Sequence, residues 1–140
     1  MDMHSPLKIG EAARQTGVSA KMIRHYESLG LLPAVARRDN GYRMYSAQDL
    51  RVLGFIRRAR GLGFSMAEIA ELVGLWNNPL RASAEVKKIA QAHIDELDKR
   101  MDEIAAMKDS LAQLVQACPG NAGSKCSILD GLAPPAEARG

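Results

Sequence analysis

Hydrophobic residues recur at helical spacing along most of the chain and predict helices separated by glycine, serine and proline. The first predicted helix covers residues 7–16 and ends at Gly17, which can adopt the left-handed conformation of a helix cap. Ser19 is suited to cap a second helix over residues 20–29. Two short helices joined by a three-residue turn predict a helix-turn-helix, whose second helix usually enters the major groove of DNA.

Two further helices are predicted after a turn. Ser46 starts the first, with Asp49 in an imperfect capping box. Ser65 and Glu68 form a better capping box and open a helix that runs to about Trp76. The chain is therefore expected to be mainly α-helical.

A long helix without internal glycine or proline is predicted from Ser83, as its N-cap, to Ala117. Its apolar residues follow 4,3 spacing along one seam, interrupted by two polar residues: Val86, Ala90, His93, Leu97, Arg100, Ile104, Met107, Leu111 and Leu114. The rest of the chain is too short to bury so long a helix, so a coiled coil with a second copy is expected. Packing on its own first half is the alternative.

Charge separates the two halves of the chain. The net charge is +3, but residues 1–60 contain eleven Lys or Arg against five Asp or Glu, whereas residues 61–140 contain eight against eleven. A basic half favours a polyanion such as DNA, although many basic proteins never bind nucleic acid. No stretch resembles a membrane span or a secretory signal, so the cytoplasm is expected. No nucleophile, base and orienting group recur together, so an enzyme is not expected.

Candidate DNA contacts lie on the second helix and in the segment that follows it. The second helix carries the free polar residues Lys21, Arg24, His25 and Glu27, of which Lys21 and Arg24 can bond phosphates or guanine edges. An ordinary solvated helix face is the alternative.

A tight hairpin turn is predicted at residues 40–41, where the sequence reads Asn-Gly. Arginines flank this turn, and two tyrosines follow it, in a pattern typical of a wing that grips phosphates: Arg37, Arg38 and Arg43, with Tyr42 and Tyr45. A surface hairpin with core tyrosines is the alternative.

The two cysteines of the chain, Cys118 and Cys126, follow the long helix and are separated by seven residues. Pro119, Gly120 and Gly123 allow the chain to reverse, so that one sulfur can face the other. Two thiolates without further soft ligands suit Cu(I), Ag(I) or Au(I), whereas Zn(II) usually takes four ligands. A thiol redox switch and a pair of inert cysteines remain alternatives.

These residues together resemble the MerR family and, within it, the copper-efflux regulators of the CueR type. The similarity runs from about residue 8 to residue 132. Its most specific parts are the sequence Ile-Arg-His-Tyr-Glu at residues 23–27, Asn-Gly-Tyr-Arg-Met-Tyr at residues 40–45, and Cys-Pro-Gly at residues 118–120 with a second cysteine at 126.

The resemblance implies five segments in chain order. They are a winged helix-turn-helix DNA-binding domain over residues 1–76, a hinge over 77–82, a dimerisation helix in an antiparallel coiled coil over 83–117, a metal loop with a short turn over 118–133, and a disordered tail over 134–140. It also implies DNA contacts at Lys21, Arg24, Tyr26, Arg43 and Tyr45.

The resemblance further implies a mechanism and a role for Ser83. Divalent-metal sensors of the family carry cysteine at the start of the dimerisation helix, whereas monovalent-metal sensors carry serine, as this chain does. A metal-bound homodimer is expected to distort promoter DNA so that RNA polymerase engages both promoter elements. The expected function is activation of copper efflux or detoxification genes, with a redox-responsive regulator or a sensor of a divalent metal such as zinc as alternatives.

Overall fold

The computed structural model describes residues 6–32 and 43–135. Within them the chain forms six helices: α1 Ile9–Thr16, α2 Ala20–Ser28, α3 Ala47–Gly61, α4 Met66–Trp76, α5 Ser83–Ala117 and α6 Ser127–Leu132. The mainly helical fold is therefore confirmed. The chain divides into two compact units, Met1–Ala90 and Gln91–Gly140, and each is described by itself.

Helices α1 and α2 begin and end where the local signals predict. The N–H of Gly17, in the left-handed conformation at φ 74°, donates to the carbonyl oxygen of Ala13 and ends α1. The hydroxyl of Ser19 accepts a hydrogen bond from the N–H of Met22 and starts α2. The two helices form the predicted helix-turn-helix.

Helices α3 and α4 begin with complete capping boxes at Ser46 and Ser65. Buried side chains from all four helices α1 to α4 form a core cluster together with Tyr45, which precedes α3. The cluster includes Ala12, Ile23, Tyr26, Val52, Leu53, Ile56, Ile69 and Val73. Helix α2 ends at Ser28, one residue before the predicted end, and Leu29 is exposed where the chain turns away through Gly30.

Helix α3 packs closely on the turn that follows α1. The Arg57 guanidinium donates to the Thr16 carbonyl oxygen over 3.4 Å, at the C-terminal end of α1. The left-handed backbone conformation favours glycine at residue 17, and an added side chain would also have to displace the flexible end of Arg57.

The predicted wing falls mostly outside the described residues, since Arg37, Arg38 and Tyr42 all belong to residues 33–42. Its last residues are described. Tyr45 forms an antiparallel bridge with Leu7 through two backbone hydrogen bonds of 2.9 and 2.7 Å. This bridge joins Tyr45, at the end of the predicted wing, to Leu7, two residues before α1.

Helix α5 has the bounds that the sequence predicts, and Ser83 is its first helical residue. The sequence predicts Ser83 as the N-cap, the residue before the helix, whereas Ser83 is itself the first helical residue. The N–H of Glu85 donates to the carbonyl oxygen of Ala82. The part of α5 in the second unit carries an exposed apolar stripe with residues three or four positions apart, namely Ile94, Leu97, Met101, Ile104, Met107, Leu111 and Val115.

Helix α6 lies against the last turns of α5 within the second unit. A side chain at residue 131 would overlap Leu114, so Gly131 permits this close approach. Among the described residues, no helix combines the length and the apolar character that crossing a membrane requires.

Candidate functional site

The loop between α5 and α6 brings the two cysteines together. Cys118 directly follows the last residue of α5, and Cys126 directly precedes the first residue of α6. Between them, Gly120 has φ 64°, a left-handed conformation that reverses the chain at little cost. The side-chain oxygen of Asn121 accepts a hydrogen bond of 2.8 Å from the N–H of Gly123 and forms a second tight turn.

The two sulfur atoms lie 4.0 Å apart, and both thiols are free and half-buried. Cys126 is the N-cap of α6, and its sulfur accepts a hydrogen bond of 3.5 Å from the N–H of Leu129. This hydrogen bond lowers the pKa of the Cys126 thiol, with a smaller contribution from the Cys118 thiol. The thiolate, which is the form that binds metals, is therefore favoured at Cys126.

The loop is also tied together at its two ends. The hydroxyl of Ser127 donates a hydrogen bond of 3.0 Å to the carbonyl oxygen of Ala117. This carbonyl belongs to the last turn of α5, where carbonyl groups have no partner within the helix. The two cysteines are thus held between helix ends that are bonded to each other.

These two residues fit a soft metal ion. Thiolate sulfur is the preferred ligand of soft ions, and two facing thiolates can supply two-coordination. Taking a metal–sulfur distance of about 2.3 Å, a linear arrangement needs sulfurs about 4.6 Å apart and a tetrahedral one about 3.8 Å. The observed distance lies between these values, so either geometry needs movements of less than an ångström.

A second group of candidate residues lies on α2, the predicted recognition helix. Lys21, Arg24 and His25 are exposed on one side of this helix, whereas Ile23 and Tyr26 are buried on the other. The three exposed residues are therefore available to DNA.

The two described tyrosines of the candidate DNA site lie in the core, with 3% of Tyr26 and 1% of Tyr45 exposed. Each hydroxyl bonds to a charged side chain. The Tyr26 hydroxyl accepts from Arg60 over 3.2 Å, and the Tyr45 hydroxyl donates to Glu27 over 3.3 Å. Burial, and then the adjacent Glu27 carboxylate, raise the pKa of Tyr45.

Glu27 is a residue whose role the sequence does not reveal. It occupies one of the free polar positions predicted on α2, yet its side chain is only 10% exposed because it pairs with Arg43 and Tyr45. The partners lie sixteen and eighteen positions away, and a helical pattern carries no information on such contacts. Arg60 contacts Tyr26 across thirty-four positions, and the sequence offers no signal for that contact either.

The comparisons with known proteins agree with this architecture. The family model "MerR HTH family regulatory protein" matches residues 7–74, and the model "MerR, DNA binding" matches residues 50–114. Heavy metal-dependent transcription regulator 2 of Rhizobium meliloti is 42% identical over 127 residues, which cover 91% of this chain and 86% of the relative.

Two further proteins are similar over nearly the whole chain. The HTH-type transcriptional regulator CueR of Salmonella typhimurium is 40% identical over 126 residues, which cover 90% of this chain and 91% of the relative. The crystal structure of the transcription regulator PbrR691 from Ralstonia metallidurans, in complex with lead(II), superposes with a TM-score of 0.80 at 34% identity. It covers 91% of this chain and 99% of that one. These relatives are transcription regulators and not enzymes, and the chain belongs to the MerR family of helix-turn-helix regulatory proteins.

Proposed function

We propose that the protein is a metal-responsive transcriptional regulator that senses Cu(I), or the related ions Ag(I) and Au(I), with Cys118 and Cys126. The observation that carries this proposal is the pair of free thiols 4.0 Å apart in the loop between α5 and α6. A response to metal is supported by one relative described as heavy metal-dependent and by the lead(II) complex of another.

The preference for a monovalent ion follows from the supply of sulfur ligands. The chain contains two cysteines, and residue 83, where divalent-metal sensors of the family are expected to carry cysteine, is a serine. Serine withholds a third soft ligand. Two thiolates satisfy Cu(I), Ag(I) or Au(I), whereas Zn(II) would need further donors.

The active form is proposed to be a homodimer. The apolar stripe on α5 has members between 36% and 67% exposed in the single chain. A row of this length on one helix face is typical of a coiled coil, and its burial against a second copy removes the apolar side chains from water.

The proposed partner is double-stranded promoter DNA, read in the cytoplasm. Lys21, Arg24 and His25 are exposed on the recognition helix, and Arg43 lies beside it. The proposed contacts also include residues outside the described part or in the core, and the full set is Lys21, Arg24, His25, Tyr26, Arg37, Arg38, Tyr42, Arg43 and Tyr45. For the buried Tyr26 and Tyr45 we favour a supporting role beneath the exposed cations.

Metal binding would act by shifting the dimer between two conformers. Such a shift requires only that the two thiolates bind the ion more tightly in one conformer than in the other. The favoured conformer is proposed to distort the promoter so that RNA polymerase engages both of its elements and transcribes genes for copper efflux or detoxification.

The test is an anaerobic titration of the reduced protein with Cu(I) against a competing chelator, with parallel titrations of Zn(II) and Pb(II). We expect one Cu(I) per subunit, bound far more tightly than either divalent ion. Cys118→Ser and Cys126→Ser should each abolish tight binding, because one remaining thiolate cannot provide two-coordination. Tighter binding of Pb(II) or Zn(II), or Cu(I) binding that persists in both variants, would overturn the assignment.

A thiol redox regulator is the second candidate, and the same sulfur distance favours it. A peroxide could oxidise the Cys126 thiolate, and attack by Cys118 would then form a disulfide. The two thiols would be oxidised while the peroxide is reduced to water. A disulfide that forms reversibly at low peroxide and alters DNA binding without metal would support this candidate over the copper sensor.

A further inference from the structure

Glu27 lies at the junction between the recognition helix and the end of the predicted wing. Its carboxylate is largely withdrawn from solvent, although its neighbours Arg24, His25 and Ser28 on the same helix are exposed. One carboxylate oxygen pairs with the guanidinium of Arg43, and the other accepts the hydroxyl of Tyr45. A single side chain of α2 therefore bonds two residues of the segment that follows residues 33–42.

The segment bonded by Glu27 is also attached through Tyr45. Its backbone makes the two hydrogen bonds to Leu7, and its ring is buried in the core. Burial and the Glu27 carboxylate raise the pKa of Tyr45 and so favour the protonated hydroxyl that donates to Glu27. Arg43, two residues earlier, is 39% exposed and points one side of its guanidinium at Glu27.

This ion pair differs from an ordinary surface pair. Glu11 and Arg14 lie three residues apart on α1, and their side chains are 41% and 73% exposed. Such a pair joins no separate elements and is weakened by solvent. The pair of Glu27 and Arg43 links two elements, and the Glu27 side chain is 90% withdrawn from solvent. It can therefore fix the position of Arg43 relative to Arg24.

We propose that Glu27 is a positioning residue for DNA recognition, which holds Arg43 in a fixed register beside Arg24 on the recognition helix. This inference rests on the proposed DNA-binding face. A carboxylate on a DNA-binding surface repels phosphates, so Glu27 cannot strengthen DNA binding through its own charge. It acts instead by restraining a flexible arginine and by reducing the charge available for sequence-independent binding. Glu27 therefore raises the ratio of specific to non-specific affinity.

The test compares two DNA duplexes of equal length. One is selected by the wild-type protein from a random pool, and the other is a scrambled sequence of the same composition. For Glu27→Gln we expect affinity for the selected duplex to fall about tenfold, because the charged pair with Arg43 is lost. Affinity for the scrambled duplex should stay equal or rise, since the variant carries one fewer negative charge.

Glu11→Gln is the matched control. It changes the net charge equally and removes a carboxylate–arginine pair that opens onto the same cleft as Glu27 and Arg43, but that pair lies within one helix. Both duplexes should bind this variant with similarly altered affinity, so the ratio should stay unchanged. Poor folding would reduce the active fraction for both duplexes alike, and the ratio would not respond to it.

Arg43→Gln completes the test. If Glu27 acts through Arg43, the double variant Glu27→Gln, Arg43→Gln should discriminate no worse than Arg43→Gln alone. An unchanged ratio in Glu27→Gln, or effects of the two substitutions that simply add, would overturn the positioning role. A wild-type protein that fails to select any sequence would instead refute the proposed DNA-binding function, and this inference with it.

Discussion

Ser46→Ala and Ser65→Ala remove the same hydroxyl from two helix starts, and the surroundings predict unequal costs. Each serine accepts a hydrogen bond from the backbone N–H three residues later, at 3.1 Å for Asp49 and 3.2 Å for Glu68. The Ser46 hydroxyl also donates to the Asp49 carboxylate over 3.0 Å. Asp49 is only 1% exposed, whereas Glu68, its counterpart in the second capping box, is half-buried.

The loss of a cap costs about 1 kcal/mol, and this is the whole expected effect of Ser65→Ala. Ser46→Ala has a further cost, because the Asp49 carboxylate keeps the Ser46 N–H at 2.7 Å but loses the hydroxyl donor. A hydrogen bond to a charged group contributes about 1.5–3 kcal/mol. The free energy of unfolding should therefore fall by about 3 kcal/mol in Ser46→Ala and by about 1 kcal/mol in Ser65→Ala.

Urea unfolding followed by tryptophan fluorescence measures this difference. Trp76 is the single tryptophan of the chain, and it stacks on Phe55 with ring centroids 4.6 Å apart, so its emission reports on the first unit. Both variants must be studied at one protein concentration, because dimerisation would shift the apparent stability. Equal losses in the two variants would refute the argument that burial of Asp49 enlarges the cost.

Two predictions concern the cysteine loop. Leu129→Pro removes the backbone N–H that lowers the pKa of Cys126. In a Cys118→Ser background, the midpoint of thiol alkylation should therefore move to higher pH. The control is Leu129→Ala, which keeps that N–H. Coincident pH profiles would show that the N–H has no effect. Gly131→Ala should weaken Cu(I) binding about two- to fivefold by pushing α6 away from Leu114. Adding Leu114→Ala should restore the binding. A double variant that binds as weakly as Gly131→Ala would contradict a role for this contact.

The helices were predictable because their signals are local. The bounds of α5 match the predicted range, and the caps at Gly17, Ser19 and Ser65 are the ones that residue type indicates. Even the imperfect capping box at Ser46 forms both of its bonds, since aspartate is long enough to reach the backbone N–H.

The end of the chain was only partly predictable. The resemblance implies a short turn after the metal loop, and the structure has helix α6 there, with the Cys126 sulfur as its cap. Cysteine is not a usual capping residue, so residue preference gives no such signal. The facing thiols, in contrast, follow from the turn-forming residues between them.

Contacts between distant residues explain what the sequence did not reveal. The resemblance implies DNA contacts at Tyr26 and Tyr45, and the structure adds that both rings lie in the core, with hydroxyls bonded to Arg60 and Glu27. Helical periodicity does indicate the buried side of Tyr26, but it cannot identify a partner on another element. The contacts of Glu27 are likewise visible only in three dimensions.

The central claim is that a soft monovalent ion bound by Cys118 and Cys126 switches transcription, and run-off transcription tests it most directly. The template is the promoter fragment that the protein protects from nuclease digestion, transcribed by RNA polymerase under anaerobic conditions. We predict that Cu(I) increases the transcript with wild-type protein, that Zn(II) and Pb(II) do not, and that Cys118→Ser and Cys126→Ser abolish the response. A transcript level that is independent of Cu(I), or a response that both cysteine variants retain, would contradict the account.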